Sequence, residues 1–208
     1  MRPPDGIVPG SLVLVRHGET QWSRTGQHTG VTDLPLLPAG ERAAARLAAA
    51  LAGRAFVRVL VSPLQRARRT AELAGLTDVE VDRRLVEWDY GAYEGLTTPQ
   101  IRERLGRRWE VFEDPVEPGD TPGESLAQVA ARAQSVLDDV VPELARGDVA
   151  LFGHGHALRT LAAVYLGVDP AFGAQLVLDP GSISTLTHHR ATRCIGAWNV
   201  TPEGGLPG

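Results

Sequence analysis

The stretch "SLVLVRHGETQW", residues 11–22, decides how this chain is read. Leu12, Val13, Leu14 and Val15 run without a polar break and end abruptly on Arg16, His17, Gly18 and Glu19. A continuous apolar run, rather than an alternating one, is the pattern of a strand buried on both faces, as in a parallel sheet covered by helices. Ligands of such sheets bind at the carboxyl ends of the strands, where the N-termini of the following helices also point. The collision of aliphatic and charged residues therefore marks a candidate site.

Two further runs end in the same way. Residues 57–61 lead into Ser62-Pro63, with Arg66 one helical turn on, and residues 149–152 lead into Gly153-His154-Gly155-His156. Other β-prone runs lie at 183–186 and 194–200, and helix-like segments at 39–51, 63–73, 98–109, 125–144 and 156–165 make the chain alternate β with α. Ser62-Pro63-Leu64-Gln65 and Ser125-Leu126-Ala127-Gln128 both carry the pattern of a helix capping box. Residues 114–123, "DPVEPGDTPG", read as a surface loop.

A length of 208 residues suits one domain spanning 1–208, with 1–10 and 201–208 as flexible tails. With 43% hydrophobic and 22% charged residues the composition is globular, and no apolar run reaches the roughly 20 residues of a spanning helix, so no membrane role is expected. The start has no apolar signal core, so a cytoplasmic location is expected. A net charge of -4 argues against nucleic acid as a partner. The one cysteine, Cys194, reads as packed filler. All 21 basic residues are arginine, which removes phosphate-loop lysines and Schiff-base chemistry and leaves the bidentate guanidinium as the only fixed cation.

The three strand ends should converge. Two arginines, imidazoles and helix N-terminal amides make an anion pocket, and a neutral imidazole is a competent nucleophile toward phosphorus. Surrounding cations favour the neutral ring. Glycines beside His17 and His154 suit a backbone passing close to a ligand. A leaving alkoxide then needs a proton from a carboxylic acid or a second histidine. The two-residue spacing of His154 and His156 also admits a metal pair on one face of a strand, although no third ligand with zinc-like spacing accompanies it.

Four segments in order, "LVRHGET", "SPLQRARRTAEL", "LVEWDYGAYEGLTTPQI" and "GHGHALR", resemble the signature segments of the histidine phosphatase superfamily, the phosphoglycerate mutase-like fold, over about residues 12 to 166. The resemblance implies a three-layer α/β/α sandwich around a mostly parallel sheet. It also implies a covalent phosphohistidine mechanism with no metal or other cofactor, acting on a small phosphorylated substrate. By the same resemblance His17 is the nucleophile, Arg16, Arg66 and His154 complete the phosphate pocket, and Glu87 is the acid that protonates the leaving group and later activates water. Ser23, Thr29, Gly30, Gly155 and His156 fall at phosphate- or substrate-contacting positions, and Tyr90 at the substrate rim.

There are departures from the pattern. Ser23 follows Trp22 where the family usually has asparagine. The lysine and arginine that clamp the distal end of the substrate in the mutases are missing, with only Arg102, Arg104, Arg107 and Arg108 to replace them. Both tilt the expectation toward the acid phosphatase and sedoheptulose-bisphosphatase-like subgroup, and so toward hydrolysis of sugar phosphates or similar small phosphomonoesters. A cofactor-dependent phosphoglycerate mutase and an inert phospho-ligand-binding or interaction module are the alternatives. Glu19 is expected to be structural, Glu94 to compete with Glu87, Asp89 to sit at the rim, and two of Trp88, Tyr90 and Tyr93 to be packing. Arg68 and Arg69 should face solvent, and His188 and His189 should form a solvated turn. The specificity wall is expected in 22–30, 88–93, 102–109 and 114–123. An exposed edge strand near 183–200 could pair two copies into a homodimer.

Overall fold

The computed structural model describes residues 10–201. Strands β1 (Leu12–Arg16), β2 (Phe56–Val61), β3 (Glu80–Val81), β4 (Asp148–Gly153), β5 (Ile183–His189) and β6 (Thr192–Val200) form one sheet in the order β3-β2-β4-β1-β5-β6. The β3, β2, β4 and β1 strands run parallel, β5 is antiparallel to β1, and β6 is antiparallel to β5. The helices are α1 (Gln21–Thr25), α2 (Pro38–Leu51), α3 (Gln65–Leu73), α4 (Thr98–Leu105), α5 (Leu126–Val140) and α6 (Gly155–Leu166). None of the helices in the described residues is long and apolar enough to cross a membrane.

The continuous run of β1 is explained by its two covered faces. Leu12 and Leu14 pack with Val136 and Leu137 of α5 and Leu158 and Leu161 of α6. Val13 and Val15 pack with Ala44 and Leu47 of α2 and Ala67 and Ala71 of α3. All four strand residues are 0% exposed, and burying each aliphatic side chain contributes about 1.5–3 kcal/mol. The result is the expected α/β/α sandwich with a mostly parallel sheet. A third cluster, including Trp88, Tyr90, Tyr93, Ile101, Trp109 and Phe112, builds a wall that carries α4.

Several boundaries differ from the sequence reading, each for a local reason. The fourth helix stops at Leu105 rather than at 109, because Gly106 closes it in the left-handed region (φ 64°), and Trp109 then packs in the aromatic cluster. The fifth helix stops at Val140, and Pro142 opens a 3-10 turn, Pro142–Ala145. Ser125 and Gln128 form their capping box. Ser62 does not: α3 begins at Gln65 after Leu64, which makes no side-chain cap, and the Ser62 hydroxyl meets His154 instead. The two-residue β3 and five-residue α1 were too short to leave a periodic signal. His188 lies on β5 against Tyr165, ring centroids 5.8 Å apart, rather than in a turn. Cys194 is partly exposed on β6, so it does not fill the core. The expected tails lie outside the described residues except for Thr201 and Gly10, and Gly10 is buried and donates to the Leu144 carbonyl at 2.9 Å.

One close approach holds the loop after β1 to the sandwich. A Cβ on Gly18 would stand 2.6 Å from the Gly40 carbonyl oxygen, and a Cβ on Gly40 would stand 2.3 Å from that of Glu19. Gly18 is thus required by the start of α2. On helix propensity alone Gly40→Ala would gain about 1 kcal/mol. The clash with rigid backbone outweighs this, and the variant should lose about 1–3 kcal/mol of stability, read as a lower urea midpoint at unchanged slope.

Candidate active site

Register aligns the polar strand ends. Arg16 pairs with Gly153, and Val61 with Phe152, so His17, His154 and Ser62 follow side by side at the carboxyl edge. The His17 and Ser62 amides continue the ladder to the Gly153 and Phe152 carbonyls at 3.0 and 2.9 Å.

The His17 ring is defined by what surrounds it. Its Nδ1 lies 2.7 Å from the Gly18 carbonyl, and since a carbonyl only accepts, Nδ1 carries the proton. Nε2 is left as an unprotonated lone pair, and His17 helps to line a cavity of 260 Å³. Burial first, then the Arg66 and Arg16 charges, hold the imidazole well below its usual range and outweigh the opposing bond to Gly18. Arg16 lines the same cavity. One of its Nη atoms donates to the Leu178 carbonyl, and its Nε is the one enclosed side-chain nitrogen or oxygen among the described residues that has no partner. An anion oxygen suits that donor. A Cβ on Gly155 would come within 3.3 Å of the Arg16 Cζ, so the bare start of α6 lets the guanidinium lie close against it.

Arg66 and His154, both 0% exposed, are not among the residues that line the cavity. Arg66 donates to the carbonyls of Thr32 (2.8 Å), Thr29 (3.0 Å) and Gly30 (3.1 Å), and from Nε to His154 Nδ1 (3.2 Å). A guanidinium only donates, so His154 Nδ1 accepts, and its Nε2–H donates to Ser62 Oγ at 2.7 Å. The His17 and His154 ring centroids are 5.1 Å apart. Burial and the Arg66 charge keep His154 neutral as well.

Glu87 lies at the N-terminus of α6. Its carboxyl accepts from the backbone N–H groups of Trp88 (2.9 Å), His156 (3.1 Å) and Ala157 (2.8 Å), and it lines the cavity. His156 follows on the same turn. Burial pushes the Tyr90 hydroxyl well up, so it keeps its proton and donates to His156 Nδ1, which leaves a neutral His156 with Nε2–H as its free donor. His154 caps α6 in an extended conformation while His156 lies within the first turn, so the two do not share a strand face. Among the described residues no group of three or more His, Cys, Asp or Glu is placed to hold a metal ion.

Five cavity residues had not been named individually from the sequence: Gly26, Gln27, His28, Thr98 and Arg159. Arg159 is three residues beyond His156 on α6, a helical spacing already present in "GHGHALR". It donates to the carbonyls of Gly173 and Ala174, lies 4.8 Å over the Phe112 ring, and separates the 260 Å³ cavity from a neighbouring one of 340 Å³. His28 lines both cavities, within the 22–30 stretch expected to form the specificity wall. A larger groove of 620 Å³ beside α3 contains none of these groups.

The sequence profile of the histidine phosphatase superfamily (branch 1) matches residues 12–201. The chain belongs to this superfamily. It is 39% identical to an acid phosphatase of Mycobacterium tuberculosis over 94% of this chain and 95% of the other. It is 37% identical to sedoheptulose 1,7-bisphosphatase of Saccharomyces cerevisiae over 75% and 67%. The fold superposes with a TM-score of 0.86 on the product of an open reading frame of M. tuberculosis, 37% identical, covering 93% of this chain and 98% of that one. Superfamily membership and phosphatase relatives together support phosphatase activity.

Among the superfamily's rim positions, Ser23, Thr29, Tyr90, Gly155 and His156 line the cavity, although Ser23 Oγ is engaged in the capping box with Thr20. Gly30 does not line it: a Cβ there would meet the Trp88 carbonyl at 2.4 Å, and its N–H donates to Glu94. Glu94 also accepts from the Thr32 N–H and is no rival to Glu87 in the cavity. Asp89 organises the 114–123 loop, accepting from Gly91, Thr121 and Gly123, and is not a rim residue. Glu19 pairs with Arg24, and Arg69 with Glu41 and Glu72. Arg102, Arg107 and Arg108 are paired with Glu110, Asp114 and Glu113, Arg104 donates to the Ala92 carbonyl, and none of the four lines the His17 cavity.

The His17 assignment predicts that nitrogen-detected NMR at pH 6.5 will show a neutral ring protonated on Nδ1. Acid stability follows from the same burial. His17, His28, His154 and His156 all have lowered folded values, so below 6.5 the unfolded chain binds more protons and stability falls as pH falls. For His28, pushed down to about 4, the loss approaches about 3 kcal/mol. The urea midpoint should therefore drop between pH 6.5 and 4, and His28→Phe should flatten that drop.

Proposed function

We propose that this protein is a metal-independent phosphomonoesterase that works through a phosphohistidine on His17. The reading rests above all on one juxtaposition: His17, whose Nδ1 is taken up by the Gly18 carbonyl, Arg16, whose Nε has no partner, and Glu87 line a single cavity. In the first step His17 Nε2 bonds to phosphorus, the bond from phosphorus to the ester oxygen breaks, and protonated Glu87 gives its proton to the departing alkoxide. In the second step Glu87 takes a proton from water, the water oxygen bonds to phosphorus, and the N–P bond breaks to release phosphate. Arg16 meets the phosphoryl oxygens directly. Arg66 and His154 act from outside the cavity lining: Arg66 contributes fixed charge, and together they hold the loop and the rings in place, the preorganised electrostatics on which phosphoryl transfer depends.

The substrate is a small phosphomonoester, a sugar phosphate or similar. Hydroxyl, amide and imidazole groups of Thr29, Thr98, Gln27, His28 and His156 around the cavity suit a polyhydroxylated leaving group. None of Arg102, Arg104, Arg107 and Arg108 lines the His17 cavity, which favours hydrolysis over the mutase reading, although Arg108 lines the neighbouring cavity.

Brief incubation with phosphorus-labelled substrate and a denaturing quench should trap acid-labile, base-stable label on the protein, absent from His17→Ala. Turnover should persist in excess EDTA. An active enzyme that never carries label, or that keeps it in His17→Ala, would exclude this mechanism.

A further inference from the structure

Glu87 sits on an irregular segment with neither helix nor strand of its own: after the 3-10 turn Arg83–Leu85, residues 86–90 have no regular structure. A flexible carboxyl there could not hold proton-transfer geometry. The backbone is gripped instead from α5. Arg132 donates through one Nη to the carbonyls of Arg84 (2.9 Å) and Val86 (2.7 Å), and through Nε and its other Nη to both oxygens of Glu124 (2.9 and 3.1 Å). Glu124 completes the grip on the far side. Its Oε2 accepts from the Asp89 N–H (3.0 Å), its carbonyl from the Trp88 indole N–H (2.7 Å), and its N–H donates to the Asp89 carbonyl (2.9 Å).

The pair thus holds residues 84, 86, 88 and 89, on both sides of Glu87, while neither partner lines the cavity. Their side chains are 15% and 21% exposed, and the bidentate fork fixes orientation as well as distance. Exposed surface pairs contribute little, but this one replaces the hydrogen bonds that a strand or helix would have supplied to the segment.

We propose that Arg132, braced by Glu124, is a positioning residue for proton transfer by Glu87. This inference rests on Glu87 being the general acid. It is tested by leaving-group dependence, using kcat/KM because that ratio reports phosphorylation of His17 alone. Glycerol phosphate leaves as an alkoxide and needs the proton, whereas 2,4-dinitrophenyl phosphate leaves as a stable phenolate and does not. Arg132→Met should lower kcat/KM for glycerol phosphate about tenfold or more relative to the dinitrophenyl ester, in the same sense as Glu87→Gln and to a smaller extent. Arg132→Lys, which keeps the charge but not the fork, should fall between wild type and Met, and it carries the same comparison if the Met variant does not fold. Equal losses on both substrates, or none, alongside a selective loss in Glu87→Gln would reduce the pair to a folding contact and overturn the proposal. Equal losses in Glu87→Gln itself would overturn the acid role, and the positioning role with it.

Discussion

The buried guanidinium of Arg66 is the constraint on which the site depends. A cation removed from water is costly unless its donors and charge are answered, and here three carbonyls and one imidazole accept from it while Glu87 and Asp33 supply opposite charge. Meeting those requirements has structural consequences. The carbonyls come from residues 29–32, so the loop after α1 is drawn over the sheet edge. The imidazole is that of His154, whose tautomer is thereby chosen. The Arg66 charge adds to the burial of His17 in keeping that ring neutral.

The first turn of α6 is the second organiser. Its backbone N–H groups hold the Glu87 carboxyl, its bare Gly155 admits the Arg16 guanidinium, and His156 and Arg159 project from one face of it. A helix N-terminus offers oriented donors and a favourable field for negative charge. A carboxyl group and the cavity beside His17 therefore meet at the same end of one helix, with a rigid element between them in place of a loop.

The division of labour around Glu87 has a different character. Nothing in its own segment is regular, so its placement depends on α6 on one side and on the Arg132–Glu124 pair on the other. The neighbouring 114–123 loop is folded onto Asp89 by the same logic, with carboxylate oxygens standing in for absent ladder partners.

By itself the sequence determined the layers and which polar strand ends converge. Buried parallel strands announce themselves as unbroken aliphatic runs, and the residues that end them, Arg16, His17, Ser62 and His154, must lie together once those strands pair in register. The four ordered segments then named the superfamily. Only the tertiary structure decided which side chains reach the cavity and which do not. Arg66 and His154 are enclosed and absent from the cavity lining, Gly18 and Gly30 are hemmed in by neighbouring backbone, and Asp89 read like a rim residue yet ties a loop. Arg159 and Thr98 entered the site unannounced. The physical reason is common to all of them: periodicity encodes which face of an element is apolar, whereas the direction of a polar side chain at an element's end is set by partners distant in sequence, such as Thr32 for Arg66 and Glu124 for Arg132.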